Sequence, residues 1–215
     1  MADFECLIVD WGGVLTQPVN SAVSAWMKSD GIDEQIFEKV MGSWLGQTAG
    51  MEAQLNPVHA LERGELEVPL FEQRLAEELT KYAHHEINHH GLLQRMFDHF
   101  MQADDMRGLV YRVRKLGYKT ALLSNSWGNQ YPRSGWEDMF DAVVISGEVG
   151  MRKPEHRIYE FTLQQVGIAA PASVFVDDIF HNIQAAAEVG MAGIHHTTYE
   201  TTKTELAAIL NINLD

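Results

Sequence analysis

Two short apolar segments that each end in aspartate constrain the fold of this chain more than any other feature. The first is Cys6-Leu-Ile-Val-Asp10, and Gly12 and Gly13 follow it closely. The second, far downstream, is Val174-Phe-Val-Asp177-Asp178. Short apolar runs that turn residues bound predict buried strands, and glycines after such a strand let a ligand approach the backbone.

The two strand ends predict one site at which several carboxylates meet. Two like charges about 4 Å apart repel by roughly 4 kcal/mol at an effective dielectric constant of about 20. A divalent metal ion or a lysine is the usual compensation for such repulsion. The sequence therefore favours a compensating cation where Asp10, Asp177 and Asp178 converge.

Helical and strand patterns alternate from about residue 104 onward. This alternation predicts an α/β fold, with a Rossmann-like parallel sheet and helices on both of its faces. Active sites of such sheets lie beyond the carboxyl ends of the strands, where Asp10, Ser124 and Asp177 fall. We expect helices over 106–116, 155–166 and 179–189, and strands over 118–123, 142–145, 173–176 and 192–195.

Residues 17–103 carry helical patterns and almost no strand signal. Asn56 followed by Pro57 is a typical helix start, with asparagine as the N-cap and proline at the first helical position. Apolar residues at helical spacing predict another helix over 69–82. We therefore expect a helical cap at 17–103, inserted after the first strand into a core of residues 1–16 and 104–215.

Composition limits the partners of this protein. The net charge is −14 over 215 residues, which disfavours nucleic acid and anionic membrane surfaces. The sequence holds one cysteine, Cys6, and its N-terminus lacks the basic and apolar regions of a signal peptide. No apolar run approaches the roughly 20 residues of a membrane helix. We expect a cytoplasmic protein and leave a homodimer open.

Four segments in this order resemble the haloacid dehalogenase-like hydrolase superfamily. They are Asp10-Trp-Gly-Gly-Val14, Ser124-Asn125, Lys153 with Pro-Glu after it, and Asp177-Asp178. Within the superfamily the sequence is most similar to the phosphatase domain of soluble epoxide hydrolases and to bacterial sugar-phosphate phosphatases. The resemblance covers residues 5–15 and about 118–195 and is weaker in the cap.

The resemblance implies a Mg²⁺-dependent phosphatase that acts on a small phosphorylated metabolite. Asp10 would attack phosphorus and form an aspartyl-phosphate that water hydrolyses. Mg²⁺ would be held by Asp10, Asp178 and the backbone carbonyl of Gly12, and Lys153 would neutralise phosphate and nucleophile. The resemblance assigns phosphate binding to Ser124, the backbone N–H of Asn125, Gly12 and Gly13, and support of the metal site to Asp177 and Asn182.

Gly12 departs from the family pattern. Active phosphatases of this family usually carry a second aspartate at that position, as acid toward the leaving group, and general acid–base help is typically worth about 10²–10⁴-fold in rate. His156, His181 or a cap residue would be substitutes. Two alternatives therefore stay open, namely a 2-haloacid dehalogenase that uses the same aspartate, and a degenerate phosphate-binding protein of low activity.

Three cap and loop features have an ordinary interpretation. The histidines of the cap invite a zinc-site hypothesis, but we expect them on a solvated helix face. The acidic stretch 62–78 is expected on the exposed cap surface, and His195-His196 are expected to be structural. Trp11 and Trp127 are equally consistent with packing and with lining the site. The cap histidines are His84, His85, His89 and His90.

Overall fold

The protein is described by a computed structural model that covers residues 4–45, 56–128 and 130–214. Within these residues, five parallel strands form a single sheet. This confirms the predicted α/β class and its parallel sheet. The strands are β1 (Cys6–Val9), β2 (Lys119–Ser124), β3 (Ala142–Ile145), β4 (Ser173–Asp177) and β5 (Ala192–His195). They lie in the sheet in the order β3-β2-β1-β4-β5.

The central position of β1 explains its continuous apolar sequence. Leu7 and Val9 face one hydrophobic cluster, whereas Cys6 and Ile8 face another on the opposite side of the sheet. Because side chains alternate between the faces of a strand, a strand covered by helices on both sides has no polar face. All four residues are buried.

Helices cover both faces of the sheet, as the alternating sequence pattern predicts. The helix α6 begins at Asp104, two residues before the predicted start, since acidic residues in a first turn suit the positive end of a helix. Its buried residues Met106, Leu109 and Val113 repeat at helical spacing. The core helices are α6 (Asp104–Lys115), α7 (Trp136–Met139), α8 (Ser146–Val149), α9 (His156–Val166), α10 (Phe180–Val189) and α11 (Tyr199–Leu210).

The segment after β1 forms the predicted helical cap. The Asn56 side chain accepts hydrogen bonds from the backbone N–H groups of Val58 and His59, and Pro57 opens the helix. Phe71, among other apolar side chains, builds a separate buried cluster within the cap. The cap helices are α1 (Val19–Asp30), α2 (Glu34–Leu45), α3 (Pro57–Glu62), α4 (Val68–Thr80) and α5 (Leu92–Phe97).

Two cap expectations are wrong in detail. The four cap histidines lie in the connection between α4 and α5 and not on a helix, although three of them are exposed as expected. Within the acidic stretch, Glu62 and Glu72 are 7 % and 6 % exposed. Both are buried because each accepts hydrogen bonds through both of its carboxylate oxygens.

The chain enters and leaves the cap at neighbouring points. Thr16 and Gln102 form an antiparallel bridge, and the N–H of Gln17 donates to the carbonyl of Met101 at 2.8 Å. These contacts lie at the predicted joints, and the division into residues 1–16 and 104–215 against 17–103 stays a prediction. In the described part of the chain, no helix is long and apolar enough to cross a membrane.

Candidate active site

Three neighbouring strands deliver the candidate residues to one edge of the sheet. β1 pairs with β2 and with β4, so that Val9 is opposite both Leu122 and Val176. The parallel register therefore brings the segments that follow these strands together, including Asp10 and Asp177. Asp10 is anchored there by its backbone N–H, which donates to the carbonyl of Val176 at 2.9 Å.

The carboxylates of Asp10, Asp177 and Asp178 form a compact cluster. One oxygen from each lies within 4.8 Å of the other two. The side chain of Lys153 reaches this cluster from the loop between α8 and α9, and Lys153 is 1 % exposed. Its ammonium nitrogen lies 2.9 Å from Asp10 Oδ1 and 2.6 Å from Asp177 Oδ2. The buried lysine therefore bridges the ends of β1 and β4.

Asp177 also accepts hydrogen bonds from two residues that follow it in the chain, Ile179 and Asn182. The amide of Asn182 donates to both carboxylate oxygens of Asp177, at 3.0 and 3.1 Å. The backbone N–H of Ile179 donates to Oδ1 at 2.7 Å. Because these bonds and Lys153 occupy it, Asp177 is suited to hold its neighbours in place.

The carboxylate of Asp178 lies directly over Gly13, in the turn that follows β1. A Cβ atom on Gly13 would be 2.2 Å from Asp178 Oδ2, and Gly13 has φ of +72°. Only glycine fits there, since a side chain would occupy the space of the carboxylate and strain the backbone. The Gly13 N–H donates to Thr16 Oγ1 at 2.9 Å, which fixes the turn.

Burial and like charge shift the titration of the cluster. Burial raises the pKa of Asp10 to about 7, against the attraction of Lys153, and the charges of Asp177 and Asp178 add to the rise. Burial and the charge of Asp177 also raise the pKa of Asp178. Burial alone would lower the pKa of Lys153, but the two carboxylates beside it outweigh burial and hold that pKa above its ordinary value.

The cluster has the composition of a divalent cation site. Among the described residues, three carboxyl groups that are buried or half-buried face one ammonium group, so the acidic groups outnumber the basic group that contacts them. Hard cations such as Mg²⁺ bind carboxylate oxygens through one or two carboxylates. Such an ion would also lower the pKa values that burial raises. The residues therefore fit the divalent cation that the sequence predicts.

The end of β2 supplies polar groups next to this cluster. The hydroxyl of Ser124 lies 3.0 Å from that of Tyr131, and Tyr131 also donates to the carbonyl of Asn125 at 3.2 Å. The side-chain amide of Asn125 donates to the Lys153 carbonyl at 3.0 Å and accepts from its N–H at 2.8 Å. Asn125 thus joins the β2 loop to the loop that carries Lys153.

Tyr131 was not predicted from the sequence, because it lies in a loop without a motif. Its ring packs against Trp11 with the centroids 4.9 Å apart, and burial raises the pKa of its hydroxyl. Trp11 also stacks on Phe100 at 5.4 Å. Trp11 is 7 % exposed. Of its two predicted roles, packing and lining the site, the structure therefore favours packing against these aromatic rings.

A side chain at position 12 would fit only if Val19 shifts by a few tenths of an ångström. A Cβ there would meet Val19 Cγ2 at 3.3 Å, and its φ lies outside the left-handed region. Neither predicted substitute acid is buried beside the cluster. His156 is exposed and pairs with Glu188 at 2.7 Å, and His181 is exposed on α10.

The cap contacts the candidate site through a buried glutamate. Glu62 accepts from the indole N–H of Trp127 at 3.2 Å and from the guanidinium of Arg152. Trp127 also packs against Phe71 of the cap, with the ring centroids 5.8 Å apart. Sequence reasoning missed this contact, since an acidic stretch on a helix is usually solvated.

Two known proteins are similar to this chain in sequence. A mouse protein, acyl-CoA dehydrogenase family member 10, is 25% identical over 98% of this chain, which spans 20% of that relative. Glyceraldehyde 3-phosphate phosphatase of Methanothermobacter thermautotrophicus is 35% identical over 32% of this chain and 32% of its own length. The chain thus spans no more than about a third of either relative.

Solved structures share the fold over almost the whole chain. One is a HAD family enzyme of Bacteroides thetaiotaomicron in complex with magnesium and inorganic phosphate, with a TM-score of 0.62 and 19% identity. The match covers 90% of this chain and 94% of that enzyme. A dehalogenase has a TM-score of 0.66 and 19% identity over 99% and 100%.

The model of one protein family matches most of the sequence. The match runs from residue 4 to residue 190 and includes both acid-ended strands, the loop of Lys153 and the cap. The carboxylate cluster, the buried lysine and the first four of the five strands lie within that range. The chain therefore belongs to the haloacid dehalogenase-like hydrolases.

Proposed function

We propose that this hydrolase is a Mg²⁺-dependent phosphomonoesterase for a small phosphorylated metabolite. The observation that carries the proposal is the buried contact of Lys153 with Asp10 and Asp177, beside a third carboxylate at Asp178. Such a site has the charge to hold a divalent cation and the nucleophile to receive a phosphoryl group. The phosphatase and the magnesium- and phosphate-bound enzyme among the similar proteins support the same chemistry.

Asp10 is the nucleophile in this proposal. One of its oxygens attacks phosphorus while the bond from phosphorus to the leaving oxygen breaks, and water then hydrolyses the aspartyl-phosphate to release inorganic phosphate. Asp10 Oδ1 accepts from the N–H of Trp11 at 2.6 Å and from Lys153. These two bonds fix the rotation of the carboxylate, which keeps it aligned for attack.

The other residues hold the phosphate and the metal. Mg²⁺, bound by Asp10, Asp178 and the Gly12 carbonyl, would supply positive charge against the charge that develops on phosphate. Lys153 adds a second positive charge at the nucleophile, and Ser124 and the Asn125 N–H bind phosphate oxygens. Gly12 and Gly13 line the phosphate site in this proposal, at the turn that follows Asp10.

Asp177 and Asn182 would support the metal site from behind. Lys153, Asn182 and Ile179 all donate to Asp177, so that this carboxylate is held away from direct metal binding. Its charge keeps Lys153 protonated and in place. Loss of Asp177 would therefore act through the lysine, and not through removal of a metal ligand.

Phosphate release from p-nitrophenyl phosphate, with Mg²⁺ and with EDTA, tests the proposal. We expect release that requires Mg²⁺ and is lost in Asp10→Asn, because the amide keeps the shape and removes the nucleophile. Asp98→Asn, which changes a carboxyl on the cap surface that bonds Gln94, is the control with full activity. No release, or equal rates for Asp10→Asn and wild type, would refute the phosphatase.

Dehalogenation of a 2-haloacid is the second candidate. Two observations favour it, namely the missing carboxylate at Gly12 and the similarity in fold to a dehalogenase. The same aspartate would attack carbon and displace the halide. Chloride release from 2-chloropropionate without metal decides between the candidates, since the phosphatase requires Mg²⁺.

A degenerate phosphate-binding protein is the third alternative. It would bind phosphate or Mg²⁺ without turnover over a broad panel of phosphorylated metabolites.

The cytoplasmic location, the absence of nucleic-acid and membrane partners and a homodimer stay predictions. The small-molecule substrate is proposed because the cap contacts the loops beside the strand ends through Glu62, and a lid of this kind encloses a small molecule.

A further inference from the structure

The carboxylate of Glu62 connects the cap to two loops of the core. Glu62 is the last residue of α3, and its side chain is 9 % exposed. Oε1 accepts from Trp127 Nε1 at 3.2 Å, and Oε2 accepts from Arg152 Nε. Both donors belong to the core, so each carboxylate oxygen of this cap residue accepts a hydrogen bond from outside the cap.

Each donor lies next to a candidate site residue in the sequence. Trp127 follows Ser124 and Asn125 by two to three positions, and Arg152 immediately precedes Lys153. The same two loops are joined within the core by the Asn125 amide, which bonds the N–H and the carbonyl of Lys153. Glu62 is therefore a second cross-link between the phosphate-binding loop and the lysine loop, supplied by the cap.

The surrounding contacts hold Glu62 in that position. Gly64, two residues on, has φ of +69°, and a Cβ there would lie 2.4 Å from the carbonyl oxygen of Gly147. Arg63 reaches Glu155 of the lysine loop at 3.4 Å. Because backbone meets backbone at Gly64, the end of α3 has little freedom to move while the cap is closed.

We propose that Glu62 is a positioning residue that sets the Lys153 loop and the Ser124–Asn125 loop when the cap is closed. Its effect on turnover rests on the phosphatase function proposed above, whereas its effect on the two loops does not. A misplacement of about 1 Å at reacting groups costs on the order of 10²-fold in rate. When the cap opens, Glu62 leaves with α3, so both loops lose this contact together.

Glu62→Gln and Glu72→Gln form a matched pair for the test. Glu62→Gln keeps an acceptor for Trp127 but turns an amide N–H toward the guanidinium of Arg152. Glu72 is an equally buried glutamate of the cap, and it accepts only within the cap in the bonds described, from the N–H groups of Gly91 and Leu93 at 3.2 and 2.8 Å. Both variants remove one buried charge from the cap, but only the first removes a contact with the core.

Hydrogen exchange of the full-length protein without substrate is the first measurement. We expect Glu62→Gln to raise amide exchange about tenfold or more in 124–128 and in 150–155, whereas Glu72→Gln raises it only around 91–95. Faster exchange of Glu62→Gln in the cap alone, or the same pattern for both variants, overturns the proposal. This measurement needs no turnover, so it gives a result even if the phosphatase function is wrong.

Steady-state kinetics with p-nitrophenyl phosphate and Mg²⁺ is the second measurement. We expect kcat of Glu62→Gln to fall about tenfold or more with KM within about threefold, since displaced loops misalign the reacting groups more than they weaken the binding of phosphate. Glu72→Gln should stay within about twofold of wild type. An unchanged kcat for Glu62→Gln, in an enzyme that is otherwise active, overturns the positioning role.

Trp127→Phe keeps the proposal testable if Glu62→Gln does not fold, and a double variant tests the pairing of Glu62 with Arg152. Trp127→Phe deletes the indole donor while it keeps an aromatic ring near Phe71, and it should raise exchange in 56–64 and 124–128. The double variant Glu62→Gln with Arg152→Gln pairs two neutral amides, and it should exchange more slowly in 150–155 than Arg152→Gln alone. Wild-type exchange for Trp127→Phe, or no recovery in the double variant, refutes the contact.

Discussion

Replacement of Lys153 by methionine removes the one ammonium group that contacts Asp10 and Asp177 among the described residues. The lysine is almost fully buried, with contacts of 2.9 and 2.6 Å to these carboxylates. Removal of one partner from a buried ion pair costs about 3–5 kcal/mol, because the remaining charge stays buried. For a chain of this size, that loss corresponds to a fall of roughly 10 °C in Tm.

The cost should depend on pH, because a carboxyl can take up a proton in place of the lost charge. Burial already raises the pKa of Asp10 to about 7 beside the lysine, and loss of Lys153 raises it further. A carboxyl whose folded pKa exceeds its unfolded value is stabilising at low pH, and that stability falls as pH rises. Between pH 6 and pH 8 the variant should therefore lose up to about 2.7 kcal/mol, which is roughly 1.4 kcal/mol more than wild type, in which Asp10 already titrates over this range.

Urea unfolding at pH 6 and pH 8, with EDTA and with Mg²⁺, measures these terms. Mg²⁺ should restore part of the stability of Lys153→Met, about 2.7 kcal/mol at a concentration 100 times its Kd. Lys119→Met is the control, since Lys119 is half-exposed and its pair with Asp141 at 3.0 Å is worth less than about 1 kcal/mol. A loss below 1 kcal/mol at pH 8 in EDTA for Lys153→Met would refute the reasoning.

Three further predictions follow from other positions. Gly12→Asp should raise kcat for p-nitrophenyl phosphate by about 10²-fold or more, with Gly12→Asn as the control of equal size; equal rates for both would count against the missing acid. Burial, and then the charges of Arg152 and Arg63, lower the pKa of His59 to about 4. In urea unfolding, wild type should therefore lose more stability than His59→Gln as pH falls from 6.5 to 4. The same pH dependence of the unfolding free energy in both proteins would contradict this. Gly64→Ala should cost about 1–3 kcal/mol from its left-handed backbone alone and more from the contact with Gly147, whereas Gly42→Ala, with nothing within 4 Å of the new Cβ, should be neutral or stabilising in the same assay.

The sheet and its strand ends were predictable from the sequence for a local reason. A strand buried on both faces must be apolar throughout, and so Asp10 and Asp177 stand out as the residues where burial of apolar side chains ends. The helix boundaries shifted by one or two residues, as at α4, which ends at Thr80 and not at residue 82. End turns depend on few contacts, and the sequence pattern there is correspondingly weak.

The contacts between cap and core could not be predicted. An acidic residue in a helical segment is usually solvated, and nothing local distinguishes Glu62 from its exposed neighbours. Its burial depends on Trp127 and Arg152, which are 65 and 90 residues away in the chain. Tyr131 is a similar case, because its hydroxyl is placed by Ser124 and by packing on Trp11.

The sequence by itself determined which groups this protein offers: apolar strands that end in acid, a lysine loop, and a helical segment inserted after the first strand. Only the tertiary structure decided how Lys153 is shared between Asp10 and Asp177, that Asp178 lies over Gly13, and which cap residue reaches the two loops. The physical reason is the distance along the chain over which each effect acts. Strand and helix patterns arise from neighbours in the chain, whereas the burial of a charge is decided by partners that only the folded chain brings within hydrogen-bonding distance.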